Sequence, residues 1–131
     1  MREYKAFISY RHAPLDIAVA TRLHRMIEHY RVPAEFAKEH GSRLGYVFRD
    51  QDELPVTSDL SANIRQALDH SQFLIVVCTP ETPKSIWVDR EIRYFLRNHD
   101  RDHILAVLAD GRPEEAFPAS LIHIFDEAAT S

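Results

Sequence analysis

This chain of 131 residues has a single cysteine, three glycines, one tryptophan and no uninterrupted apolar stretch near eighteen residues. Each shortage excludes something. A lone Cys78 forbids a disulfide within the chain and fits a reducing compartment. Its place in the apolar run 73–78 reads as a small buried hydrophobe. Three glycines leave no room for a long flexible linker. Without a long apolar run nothing is expected to span a membrane. The charged opening Met1-Arg2-Glu3-Tyr4-Lys5 does not read as a signal peptide, so a cytoplasmic location is expected. The balance of 16 Lys+Arg against 20 Asp+Glu, a net charge of −4, lacks the basic excess of a general nucleic-acid binder. Eight histidines are present, but no Cys-x-x-Cys or His-Glu-x-x-His spacing accompanies them. They read as surface histidines, and no metal site is expected.

What is present is the alternation of an α/β protein. At 45% hydrophobic and 27% charged residues, the chain reads as one globular domain. Strands are predicted at residues 4–10, 44–48 and 104–108, with the run 73–78 apolar on both faces, as a strand buried in a parallel sheet should be. A short fifth is predicted at 121–125. Helical spacing of Val19, Leu23, Met26, Ile27 and Tyr30 predicts a helix over 15–30. Residues 34–43 read as an irregular connection. A third segment, marked by Leu60, Ile64, Ala67 and Leu68, predicts a helix capped by Ser58 or Asp59. The next helix begins at Thr82, with Pro83 as its first residue, or at Ser85. The order implies a flavodoxin-like three-layer fold, a parallel sheet of four to five strands in the order 2-1-3-4-5 with helices on both faces. No helix follows the fifth strand before Ser131. The expectation is a single domain over 1–131, belonging to a longer protein or cut before its last helix.

In such sheets ligands bind beyond the carboxyl ends of the strands, where the strand order reverses. That point lies between strands one and three. The loop Ser9-Tyr10-Arg11-His12, the charged loop from Arg49 to Asp59 and the helix holding Ser85-Ile86-Trp87-Val88-Asp89-Arg90-Glu91 should converge there. Trp87 and Glu91 lie four apart, hence side by side on a helix, flanking the core stripe Val88, Ile92, Phe95 and Leu96. Alone, the pair fits two readings: a half-buried indole beside a solvated acid, or a platform for a flat ring with a carboxylate next to it. Its convergence with Tyr10, Arg11 and the acidic loop favours the second. The loop after strand one has neither the Walker pattern nor G-x-G-x-x-G, so a dinucleotide here is not held the Rossmann way. A phosphoacceptor receiver domain needs an acid ending strand three, where Thr79 stands, and a lysine beyond Lys84. No Gly-x-Ser-x-Gly elbow occurs.

Four motifs in order, Phe7-Ile8-Ser9-Tyr10-Arg11-His12, Tyr46-Val47-Phe48-Arg49-Asp50, Phe73-Leu74-Ile75-Val76-Val77-Cys78-Thr79-Pro80 and Ser85 to Glu91, resemble the Toll/interleukin-1 receptor (TIR) domain, in particular its bacterial branch. The resemblance covers about residues 4 to 118. It implies the 2-1-3-4-5 sheet and an enzyme that cleaves the nicotinamide–ribose bond of NAD+, giving nicotinamide and ADP-ribose or a cyclic isomer. By the same resemblance Glu91 is the catalytic acid. Ser9, Tyr10, Arg11, Arg49, Asp50 and Trp87 then approach the substrate. Asp52, Glu53, Leu54 and Pro55 fall in the loop through which family members assemble. The implied partners are NAD+ as substrate, with no separate cofactor, other TIR protomers, and a sensor domain or partner protein. The implied setting is bacterial defence or cell killing. Other family members lack the glutamate and act only by association, or disable host signalling by mimicry. Glu91 favours the enzyme.

Overall fold

In the computed structural model, residues 2–50 and 59–121 are described. Four strands, β1 (Tyr4–Ser9), β2 (Val47–Arg49), β3 (Ser71–Cys78) and β4 (Ile104–Leu108), form one sheet in the order β2-β1-β3-β4. Every pairing is parallel, with Ala6 opposite Val47, Ser9 opposite Val76 and Leu74 opposite Ile104. Parallel neighbours need crossover connections, and helices supply them. These are α1 (Pro14–His29), α2 (Ala34–His40), α3 (Ala62–Asp69) and α4 (Ile86–Phe95), and α5 (Pro113–Ala116) follows β4.

The two-residue alternation of a strand divides the core in two. On β1, Phe7 faces α3 and α4, while Ala6 and Ile8, with Tyr10 just past the strand, face α1. On β3, Leu74, Val76 and Cys78 join the first set, and Ile75 and Val77 the second. The first core is closed by Ile64, Ala67 and Leu68 of α3 and by Val88, Ile92 and Phe95 of α4. The second is closed by Ala20, with Val19, Leu23 and Ile27 packed at its edge. This is the flavodoxin-like arrangement expected, with helices on both faces of a parallel sheet.

Local differences have local causes. Residues 34–40, expected to be irregular, form α2, none of whose residues is buried. A helix without an apolar stripe has no periodic signature to read. It closes at Gly41, which takes φ 78° and donates its N–H to the Ala37 carbonyl. Strand β2 is shorter than expected, because Leu44 and Tyr46 stay exposed and burial begins at Val47. The cap of α3 is Ser61, whose Oγ accepts from the Ile64 N–H at 3.2 Å, rather than Asp59; Ser58 lies outside the described residues. Both predicted starts of the next helix are used. Thr82–Lys84 is a 3-10 turn, and Ser85 caps α4 by accepting from the Val88 N–H at 3.3 Å. Of the expected fifth strand, Leu121 is helical and the rest lies outside the described residues. Among the described residues no helix is long and apolar enough to cross a membrane.

Candidate active site

Helix α4 presents Val88, Ile92 and Phe95 to the core, each at most 1% exposed. Glu91 stands three residues after Val88 and four before Phe95, so the helical repeat brings it onto the same face. It is 7% exposed, deeper than the flanking position expected from the sequence. Burial therefore raises its carboxyl from an ordinary 4.5 to about 8, and the neighbouring Asp50 charge pushes the same way. The opposing influence is a hydrogen bond from the Ser9 hydroxyl to Glu91 Oε1, at 2.6 Å. Among the described residues no cation forms an ion pair with Glu91. One turn earlier, Trp87 packs against the edge of the same core, with the Arg90 guanidinium 5.4 Å from its ring centre.

Opposite α4, the end of β1 and the end of β2 are tied together. The Tyr10 hydroxyl donates to the Asp50 carbonyl at 2.8 Å, and His12 Nε2 lies 3.1 Å from the same oxygen. The Tyr10 oxygen in turn accepts from Arg49 Nη1 at 3.4 Å. Arg49 Nε donates to His24 Nδ1 at 3.3 Å, which leaves His24 Nε2 to donate to Glu28 at 2.9 Å. Glu28 also accepts from the Val47 N–H at 2.8 Å. The chain from Tyr10 to Val47 thus fixes β2 against β1 and α1. Tyr10→Phe removes the hydroxyl at its head and leaves Arg49 and the Asp50 carbonyl each short of a partner. We expect a loss of about 1–2 kcal/mol in chemical denaturation.

Tyr10, His12 and Asp50 on this side, and Trp87 and Glu91 on α4, border a cleft of ≈ 320 Å³ at the carboxyl ends of β1 and β3. Of the residues singled out in the sequence, Tyr10, Arg11, Asp50, Trp87 and Glu91 line it. Ser9 and Arg49 are not among its walls: Ser9, 1% exposed, lies behind Glu91, and Arg49 lies beyond Tyr10. Asp52, Glu53, Leu54 and Pro55 fall outside the described residues. Sequence reasoning did not assign His12, Lys84 or Ile86 to the site, though all three line it. Their signal was positional, since each sits in a loop or first helical turn that the strand order aims at the cleft. Asp16 is not among the walls of the cleft but stands beside one of them. It is 2% exposed in the first turn of α1, 4.0 Å from Arg11, and burial raises its carboxyl. Among the described residues no cluster of histidine, cysteine and acids is arranged to hold a metal ion. The cleft combines a flat aromatic wall, a buried carboxyl and, at its mouth, the cations Arg11 and Lys84. It suits a ligand with a planar ring next to a centre that becomes positive.

The parallel β2-β1-β3-β4 order is that of a TIR domain. Residues 7–114 match the family described as Thoeris protein ThsB, TIR-like domain, and the chain belongs to it. It is 38% identical over 108 residues to the NAD(+) hydrolase ApTIR of an Actinoplanes species, an alignment spanning 82% of this chain and 14% of that protein. Among solved structures it resembles the TIR domains of the activated Roq1 resistosome bound to the pathogen effector XopQ. There the TM-score is 0.57 at 20% identity, covering 96% of this chain and 70% of the other, a likeness of fold.

Proposed function

We propose that this domain cleaves the nicotinamide–ribose bond of NAD+, with Glu91 as the catalytic acid side chain. The observation that carries the reading is the Glu91 carboxyl, buried yet bordering the cleft, one helical turn from Trp87. The 38% identity to a protein named as an NAD(+) hydrolase supports the substrate. In NAD+ the leaving group is already a cation. As the C1′–N bond breaks, its electron pair passes to the ring nitrogen and nicotinamide departs neutral. Positive charge then appears on the ribosyl carbon, as in glycoside hydrolysis. An ionised Glu91 stabilises that charge at close range in a poorly hydrated site. The Trp87 face favours a flat ring and nearby positive charge. Water attacking C1′ gives ADP-ribose and releases a proton; attack by a nucleophile of the same NAD+ gives a cyclic isomer. Both share the first step.

Assembly with further TIR protomers, a sensor on another domain or partner protein, and a role in bacterial defence are parts of the same proposal. The match to only 14% of ApTIR is consistent with a TIR segment working inside a larger protein. The test is to incubate the chain with NAD+ and follow free nicotinamide across a hundredfold range of protein concentration. Release is expected, with a specific rate that climbs as concentration rises. No release at any concentration would overturn the enzyme, and a specific rate independent of dilution would overturn the need for assembly.

A further inference from the structure

We propose that Ser9 is a positioning residue that holds the Glu91 carboxyl in its working orientation, and that it makes no contact with substrate. This deepens the proposed reaction and rests on it for its kinetic part. Ser9 is the last residue of β1, and strand alternation puts it on the same face as Phe7, under α4. It is 1% exposed and absent from the walls of the cleft. Its hydroxyl donates to Glu91 Oε1 at 2.6 Å, at the short end of O–H···O hydrogen bonds. The bond joins two rigid elements across 82 positions of sequence. One carboxyl oxygen is thereby anchored to the sheet, which leaves the other for the cleft that Glu91 lines.

A carboxyl at the end of the glutamate χ1–χ3 torsions has several rotamers, and only some face a ribose. An anchor on a central strand selects among them, and it favours the ionised form to which it donates. The direction agrees with the Ser9 bond opposing the upward push of burial on Glu91. The other titratable groups on the cleft are Tyr10, Arg11, His12, Asp50, Glu81 and Lys84, whereas the hydrogen bond from Ser9 is to Glu91.

The test compares Ser9→Ala and Ser9→Thr with the unaltered chain. Two readouts are used: nicotinamide release, and carbon NMR titration of labelled glutamate carboxyls, with the Glu91 signal assigned by its loss in Glu91→Gln. With alanine, the Glu91 titration is expected to move up by about one pH unit. The kcat is expected to fall about tenfold, with KM for NAD+ within about twofold, since only the transition state needs the aligned carboxylate. Threonine, which keeps the hydroxyl, is expected to restore both. Should the alanine chain lose its fold, Ser9→Cys offers a poor donor in the same space and is expected to shift the titration in the same direction. An unmoved Glu91 titration overturns the anchor. A raised KM with kcat preserved makes Ser9 a substrate contact and overturns the proposal equally. If no chain releases nicotinamide, the proposed reaction fails, yet the titration still decides whether Ser9 governs Glu91.

Discussion

Glu91→Gln is expected to lower NAD+ cleavage by roughly a hundredfold or more, and to make the protein more stable at neutral pH. The two effects share one cause. Glutamine has the volume of glutamate and still accepts from Ser9, so the 2.6 Å contact at the end of β1 survives. What it lacks is the charge that meets the developing ribosyl cation. A loss of one preorganised electrostatic partner costs on the order of 3 kcal/mol in the barrier. The stability gain follows from linkage. The folded carboxyl is raised to about 8 from an ordinary 4.5, so folding favours the protonated form. Its stabilising influence is complete below the unfolded value and is lost as pH rises through the folded one. At pH 7 the buried acid therefore costs on the order of 3 kcal/mol relative to a neutral isostere. Denaturant melts of the two proteins should nearly coincide below pH 4.5 and separate steadily up to pH 8. Equal stabilities at pH 8 would mean that Glu91 sits in a wetter place than its 7% exposure indicates.

Such a pairing, an acid that lowers stability while serving a site, is common where function demands a group that packing alone would not choose. It also shows what in this chain could be read from the sequence and what could not. The unalternating run at 73–78 announced a central parallel strand, and β3 is one, buried along nearly its whole length. The four-residue spacing of Trp87 and Glu91 placed both on one side of a helix bordering the cleft, as they are. The depth of Glu91 was not legible. A periodic pattern is read from apolar residues, and an acid next to the stripe is assumed to face water. Only the packing of α4 over β1 decides otherwise, and that depends on contacts 82 positions apart. The same limit hid the bond between Ser9 and Glu91 and the link from Arg49 through His24 to Glu28. Helix α2 escaped notice for the opposite reason: it buries nothing, so no pattern marks it.

The pH dependence of the reaction should report the same carboxyl directly. If the ionised form of Glu91 stabilises the ribosyl cation, kcat/KM follows the fraction ionised in the free protein. With the folded carboxyl titrating at about 8, kcat/KM is expected to rise close to tenfold per pH unit below that value and level off above it. The span from pH 6 to pH 9 is then roughly ninety-fold. The kcat limb should lie at lower pH. A bound pyridinium brings a positive charge into the cleft, and a nearby opposite charge favours the carboxylate. Substrate and acid would thus activate each other: the cation ionises the group that later stabilises its departure. The assignment is checked with the Ser9→Ala chain, in which a limb due to Glu91 moves up and a limb due to another group on the cleft stays. A rate that is flat between pH 6 and pH 9, in a protein that does release nicotinamide, would mean that chemistry does not wait on Glu91 losing its proton.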